Sequence, residues 1–203
     1  MFFKKWQELT SDPWILSTVE GYKIEFSSKP FQINLPNMPQ WSNDQMELIS
    51  KEVDTLLLKG AIIPVQPCDG QFLSNLFLVQ KKNLEWRPVI NLRKLNEFIE
   101  HYHFKMETIE TVKKMINHND IMCSLDLTDA YFSIFIKEND RKYLRFEWKG
   151  CLYEFTCLCF GIKSAPRVFS KMLKVPVSQL RLLGIRLSSY IDDSIILGDS
   201  EKI

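Results

Sequence analysis

No stretch of this 203-residue chain approaches the ~20 consecutive apolar residues that a membrane-crossing helix needs, which excludes a helical membrane span. The N-terminal Met1-Phe2-Phe3-Lys4-Lys5 runs into a polar stretch without an apolar h-region. A secretory leader is therefore not expected, and the chain is expected inside the cell, in cytoplasm or nucleus. A basic excess is missing too: 26 Lys and Arg against 25 Asp and Glu leave a net charge of +1. Bulk charge cannot recruit a polyanion, so any nucleic-acid contact has to come from local clusters such as Lys81, Lys82, Arg87, Arg93 and Lys94. The cysteines Cys68, Cys123, Cys151, Cys157 and Cys159 are odd in number, and Cys157-Leu158-Cys159 lacks zinc-knuckle spacing. They read as reduced, mostly buried thiols. There is no low-complexity tract and no internal repeat.

What is present is ordinary globular material, with 45% hydrophobic and 25% charged residues, enough for one domain or two small lobes. Residues 1–40 hold Pro13, Pro30, Pro36 and Pro39 among scattered aromatics and read as an extended lead-in. Ser42 or Asn43 can cap a helix in which Met46, Ile49, Val53, Leu56 and Leu57 recur at helical spacing, with Gly60 just past its end. Ala61 to Val65 reads as a short strand. Leu76–Lys81 and Arg87–Asn91 flank a polar turn near Asn83, which makes a hairpin with a basic tip. Thr108 to Ile116 is a helix with Ile109, Val112, Met115 and Ile116 on one face. Arg141–Glu147 and Cys151–Cys157 flank Trp148-Lys149-Gly150 as a second hairpin, and Ser164-Ala165-Pro166 opens a helix with Ser164 as its cap. The sum is an α+β fold, an antiparallel sheet backed by helices.

Chemistry concentrates in two acidic strand ends. Leu187-Ser188-Ser189-Tyr190 and Ser194-Ile195-Ile196-Leu197-Gly198 flank Asp192 and Asp193, which puts both carboxylates at a hairpin tip. Ile121 to Leu125 forms a strand with Asp126 at its exposed end, and Tyr131 to Ile136 resumes an extended pattern after a turn. An Asp pair alone is ordinary turn chemistry. Three short carboxylates from separate strands, however, are a natural holder for hard divalent cations completed by phosphate oxygens.

The residues Ser124–Phe146 (SLDLTDAYFSIFIKENDRKYLRF) and Tyr190–Asp193 resemble the first and last catalytic motifs of reverse transcriptases. Leu73–Asn96 (LSNLFLVQKKNLEWRPVINLRKLN) resembles their nucleotide-gripping fingers hairpin, and Leu158–Met172 (LCFGIKSAPRVFSKM) the motif that opens a template-facing helix. The likeness runs from about Ser42 to the C-terminus and is closest to DIRS-like and gypsy-like retroelements.

The resemblance implies a right-hand polymerase fold with a lead-in at 1–40, fingers at 41–105 and palm at 106–203. It implies RNA-directed DNA synthesis from dNTPs on a primed RNA or DNA template, with two Mg²⁺ ions for which Mn²⁺ can substitute. Asp126, Asp192 and Asp193 would hold the metals, with Leu127 adding a backbone carbonyl. Lys81, Lys82 and Arg87 would clamp the triphosphate. Asp129, Ala130, Gly161 and Lys163 would line the nucleotide pocket, Arg93 would contact template, and Tyr131 would be a gate against the 2′ hydroxyl. The competing readings are a core aromatic for Tyr131 and a solvated hairpin tip for the basic cluster.

Cys159 stands where relatives often have Pro, and Asn91 where many have Asp. The sequence ends ten residues after Asp193, before the family's thumb. Processive synthesis by this chain alone is therefore not expected, and the rest of a polyprotein or a second chain would supply the missing grip. The alternative from another class is a noncatalytic retroelement remnant that binds nucleic acid or a partner protein. A carboxylate-triad nuclease or transposase fits the metal chemistry but not the fingers hairpin.

Overall fold

The computed structural model describes residues 2–80 and 86–198. In chain order its helices are α1 (Phe2–Leu9), α2 (Pro13–Glu20), α3 (Asn43–Leu58), α4 (Arg93–Asn96), α5 (Ile109–Met115), α6 (Glu138–Arg141) and α7 (Ala165–Leu182). Its strands are β1 (Ile62–Pro64), β2 (Leu73–Ser74), β3 (Leu76–Gln80), β4 (Trp86–Ile90), β5 (Ile121–Asp126), β6 (Arg145–Trp148), β7 (Cys151–Phe155), β8 (Arg186–Tyr190) and β9 (Asp193–Gly198). The α+β expectation holds. No described helix is long and apolar enough to cross a membrane.

Contacts divide the chain into two interleaved units rather than consecutive segments. One comprises Met1–Val19, Tyr102–Ala130 and Pro166–Ile203, the other Glu20–His101 and Tyr131–Ala165.

The second unit is built on a four-stranded sheet in the order β1-β7-β6-β2, antiparallel except for the β2–β6 pair. The β6–β7 turn works because Lys149 and Gly150 both take positive φ, 49° and 76°, the geometry of a two-residue hairpin loop. Helix α3 begins with a capping box, in which the Ser42 side chain accepts from the Gln45 N–H and the Gln45 side chain accepts from the Ser42 N–H. Its Ile49, Val53 and Leu56 are buried, and Gly60 follows at φ 66°. Leu144, Phe146 and Leu158 are fully buried in this unit. Within the sheet, Arg145 donates twice to Glu154, at 2.9 and 2.7 Å, with both side chains under one-tenth exposed.

The first unit is a three-stranded antiparallel sheet, β5-β9-β8, with α1, α2, α5 and α7. The expected extended lead-in is corrected here: residues 2–9 and 13–20 are helical. Pro13 sits in the first turn of α2, where its missing N–H costs nothing, and Asp12 caps that turn by accepting from the Trp14 N–H at 2.8 Å and the Ile15 N–H at 3.3 Å.

Other expectations also change. The Ser164 hydroxyl is buried without a hydrogen-bond partner among the described residues, so it makes no cap bond to α7. Helix α5 buries no residue, and Ile109 is 67% exposed, because the helix sits half-covered rather than under a layer. Arg141 ends a short helix instead of starting β6. Cys68, Cys123 and Cys151 are exposed, in a loop, on an edge strand and beside a turn, and only Cys157 and Cys159 are buried.

Candidate active site

The strand register brings the acidic strand ends together. β5 and β9 pair antiparallel with Asp126 opposite Asp193, and β8 and β9 pair with Tyr190 opposite Asp193. Directly opposed residues project from the same face, so Asp126, Asp193 and Tyr190 share one side of the sheet end. Ile191 and Asp192 form the two-residue turn between β8 and β9, and the Asp192 carbonyl accepts from the Leu127 N–H at 3.0 Å, which ties the turn to the end of β5. Ile191 adopts φ 56°. For a β-branched residue this left-handed conformation costs roughly 1–3 kcal/mol, strain stored at the tip that aims the carboxylates.

No described residue pairs with the carboxylates of Asp126, Asp192 or Asp193. Among the described residues no three His, Cys, Asp or Glu side chains are gathered closely enough to hold a metal. Carboxylate oxygens are the donor type that suits a hard divalent cation.

Sequence reasoning passed over the residues that brace this tip. Glu107 accepts from the Ser188 hydroxyl, from the Ser189 N–H at 3.2 Å and from Arg181 Nη2 at 2.6 and 2.8 Å. Arg181 also donates to the Leu187 carbonyl. Burial alone would raise the Glu107 pKa, but the hydrogen bonds from Ser188, Arg181 and Ser189 outweigh it and hold the carboxyl below its ordinary value. At the other end of β8, Arg186 donates to Asp120 at 2.5 and 2.6 Å and to the Met115 carbonyl. Ser189 and Ser194 share a hydrogen bond across the hairpin. The signal in sequence was only the polar pair Ser188-Ser189 between Leu187 and Tyr190.

The residues expected to grip the nucleotide divide between the units. Asp129, at φ 54°, and Ala130 close the segment that follows β5 in the first unit. Tyr131, Arg87, Gly161, Lys163 and Arg93 belong to the second. Tyr131 lies in a 3-10 turn (Ala130–Ser133), not the expected extended strand, and is 7% exposed. Its ring packs on Phe160 at 5.0 Å, and the Arg87 guanidinium stacks over the same Phe160 ring at 3.9 Å. Phe160 thus joins Tyr131 and Arg87 into one stack, although the sequence had not singled it out.

Gly161 has φ 98°, and a Cβ there would lie 3.1 Å from the Ile90 carbonyl, so only glycine fits. Lys163 Nζ donates to the Ile99 carbonyl at 3.1 Å, and the Lys163 N–H to the Asn96 side chain at 2.8 Å. Arg93 is exposed on α4. The fingers hairpin is present as antiparallel β3 and β4, while Lys81 and Lys82 at its tip lie outside the described residues.

The family model for reverse transcriptase (RNA-dependent DNA polymerase) matches residues 79–203. The chain belongs to the reverse transcriptase family. This reverse transcriptase domain is 32% identical over 169 residues to the retrovirus-related Pol polyprotein from transposon 412 of Drosophila melanogaster, covering 79% of the chain and 13% of that protein. It is 30% identical over 162 residues to the Pol polyprotein from transposon gypsy of the same organism, covering 77% and 15% respectively. The domain therefore spans under a sixth of the length of these relatives.

Among solved structures, it resembles the Prototype Foamy Virus protease-reverse transcriptase, a selenomethionine-labelled mutant form, with a TM-score of 0.70 at 19% identity over 89% of this chain and 23% of that one. It also resembles the foamy viral protease-reverse transcriptase in complex with dsDNA, with a TM-score of 0.70 at 17% identity over 89% of this chain and 37% of that one. At such identities these likenesses establish the fold. The retroelement assignment is upheld, and reverse transcriptases generally use divalent metals.

Proposed function

We propose that this domain performs RNA-directed DNA synthesis, transferring a nucleotide from a dNTP to a primer 3′ end, with Asp126, Asp192 and Asp193 as holders of two Mg²⁺ ions. The observation that carries the reading is the register that sets Asp126 opposite Asp193, with Asp192 in the adjoining turn. Two bound cations would supply activation of the 3′ hydroxyl and charge neutralisation at the leaving phosphates. Mn²⁺ can replace Mg²⁺ on the same hard oxygen donors, and the Leu127 carbonyl is a further oxygen donor beside Asp126.

The chain's own residues do the rest. The Ile191-Asp192 turn, tied back through Leu127, holds the carboxylates on a short lever, so little conformational freedom is lost when they are loaded. Arg87, kept planar against Phe160, presents a permanent charge to triphosphate oxygens, together with Lys81 and Lys82. Tyr131, fixed by Phe160, occupies the space that a ribose 2′ hydroxyl would need. Asp129 and Ala130 of the first unit, and Gly161 and Lys163 of the second, are assigned to nucleotide contact, and Arg93 to template contact.

We assign the first unit to the palm and the second to the fingers. Like its relatives, the domain works within a longer Pol polyprotein, whose further parts hold the duplex. The test is primer extension on an RNA template with Mg²⁺ or Mn²⁺, comparing the chain with Asp192→Asn. Extension by the parent that is lost in the variant supports the reading. A folded parent that extends nothing under either metal overturns it for this chain. Tyr131→Val is expected to admit ribonucleotides, and unchanged sugar discrimination in an active variant removes the gate.

A further inference from the structure

Phe160 lies in the connection between β7 and α7, where residues 159–163 belong to no helix or strand. Such a loop cannot place an aromatic ring by its own ladder of hydrogen bonds, so its position has to be imposed by neighbours. In the second unit they are the end of β4 and the short helix α4. Gly161 lies so close to the carbonyl of Ile90, the last residue of β4, that a Cβ would come to 3.1 Å from it.

Asn96, at the end of α4, then closes on the loop from both sides of Ile162. Its Nδ2 donates to the Gly161 carbonyl at 2.8 Å, and its Oδ1 accepts from the Lys163 N–H at 2.8 Å. One planar amide thus offers the loop the donor and acceptor that a paired strand would. Asparagine suits this place for a chemical reason. Aspartate would set an acceptor against the Gly161 carbonyl, and alanine would leave both loop groups without this partner. Asn96 is itself anchored: its N–H donates to the Leu92 carbonyl at 2.8 Å, and Leu92 and Leu95 are buried beneath it.

The consequence falls on the ring stack. Arg87 is carried by β4 and Phe160 by the loop, so the 3.9 Å between the guanidinium and the ring depends on how the loop docks against β4 and α4. Tyr131 meets the same ring at 5.0 Å and Phe132 at 6.4 Å. All of these residues belong to the second unit.

We infer that Asn96 is a positioning residue for the nucleotide site: by fixing the Phe160 loop against β4 it sets the spacing of Arg87 and Tyr131 around one nucleoside triphosphate. The inference rests on the assignment of Arg87 and Tyr131 to that substrate. Asn96 acts through the loop and is assigned no contact with the nucleotide.

The experiment titrates dATP and ATP, which differ only in the 2′ hydroxyl, into the whole chain with Mg²⁺ and no primer. Binding is followed by NMR on the Arg87 side-chain N–H, identified by its disappearance in Arg87→Lys. Thermal melts first establish which variants are folded. Before nucleotide is added, Asn96→Ala and Asn96→Asp should each move that resonance towards its position in Phe160→Leu. A misplacement of about 1 Å can cost a positioned group roughly 100-fold, and a loosened loop is expected to weaken dATP by roughly tenfold. The preference for dATP over ATP should narrow as well, which a uniform loss of stability would not produce. Asn96→Ser, able to make one of the two bonds, should fall between; if the alanine and aspartate variants do not fold, the serine variant decides by the same readouts. Asn75→Ala removes a comparable bond in the same unit, from Nδ2 to the Asn37 carbonyl at 3.1 Å, and should leave resonance and preference as in the parent.

A parent-like Arg87 resonance or a parent-like preference in the folded Asn96 variants overturns the inference. So does an equal change in Asn75→Ala, or a parent that binds neither nucleotide. A parent that binds dATP and shows the Asn96 effects, yet extends no primer, sinks the polymerase reading and leaves the positioning role standing.

Discussion

Truncating Glu107 to alanine should cost the fold about 3 kcal/mol, and the sum can be built donor by donor. The Ser188 hydroxyl, 5% exposed, loses its acceptor while buried, a loss of about 1–2 kcal/mol. The Ser189 N–H sits closer to solvent and loses about 0.5–1 kcal/mol. The Arg181 side chain is 36% exposed and that of Glu107 28%, so solvent screens the ion pair to about 0.5–1 kcal/mol. Arg181 also keeps its bonds to the Leu187 carbonyl. Glu107→Gln keeps an acceptor for Ser188 and Ser189 and should lose only about 1 kcal/mol.

Urea unfolding of the three proteins reads these differences as shifts in midpoint. The pH dependence supplies an independent check. The Glu107 pKa is held below its ordinary 4.5 in the folded chain, so its advantage over Gln is fully present above about pH 4.5 and fades as pH falls through the lowered value. Primer extension should fall with Ala and survive with Gln, because β8 leads straight into the Ile191-Asp192 turn proposed to hold the metals. A loss under about 1 kcal/mol for Glu107→Ala would refute the bracing role.

Other consequences are as direct. Glu154→Ala leaves the Arg145 guanidinium buried without its carboxylate, and a loss of about 3–5 kcal/mol is expected in urea melts; a loss below about 1 kcal/mol would mean that water replaces the partner. Gly161→Ala combines a positive φ with a contact on the Ile90 carbonyl, so a loss of at least about 1 kcal/mol should appear as a lower melting midpoint, and an unchanged midpoint counts against the tight turn. Burial raises the Asp140 carboxyl above its ordinary 3.8, only partly offset by the Ile24 N–H and by Lys23, Lys137 and Lys142. The folded state therefore holds that proton more tightly, and stability is lost as pH rises from about 3.8 through the raised value. Asp140→Asn should accordingly gain on the parent over that window, and a flat difference would contradict the burial account. Native thiol labelling should reach Cys68, Cys123 and Cys151 but spare Cys157 and Cys159, whose burial pushes the Cys159 thiol up; rapid labelling of all five would contradict the packing.

The sequence was most readable where one local rule governs. The capping box of α3, the Lys149-Gly150 turn and the acidic hairpin each follow from a few adjacent residues. The prolines of the first 40 residues misled because Pro13 starts a helix as readily as it breaks one, and the Asp12 cap two residues ahead of Trp14 was the cue. Tyr131 misled because alternating apolar residues after a turn also suit a 3-10 segment. Ile109 was placed on an inward face by periodicity, which cannot say whether anything covers that face. The meeting of Asp126 with the Asp192-Asp193 turn was legible because each lies at the end of an apolar run that reads as a strand. Glu107 and Arg181 were not, since their meeting depends on how a loop before α5 returns to the end of α7.

The interleaving of the two units also bears on how the chain is made. The second unit has all its residues once Ala165 has been synthesised, so its sheet can close while α7 is still being built. The carboxylate unit cannot, because β5 pairs only with β9, the last described strand. Until β9 emerges, Asp126 waits on an unpaired strand bearing exposed Ile121, Met122 and Leu125. Of the two units, the one that carries the carboxylates is thus the later to close and the more open to mispairing on the ribosome.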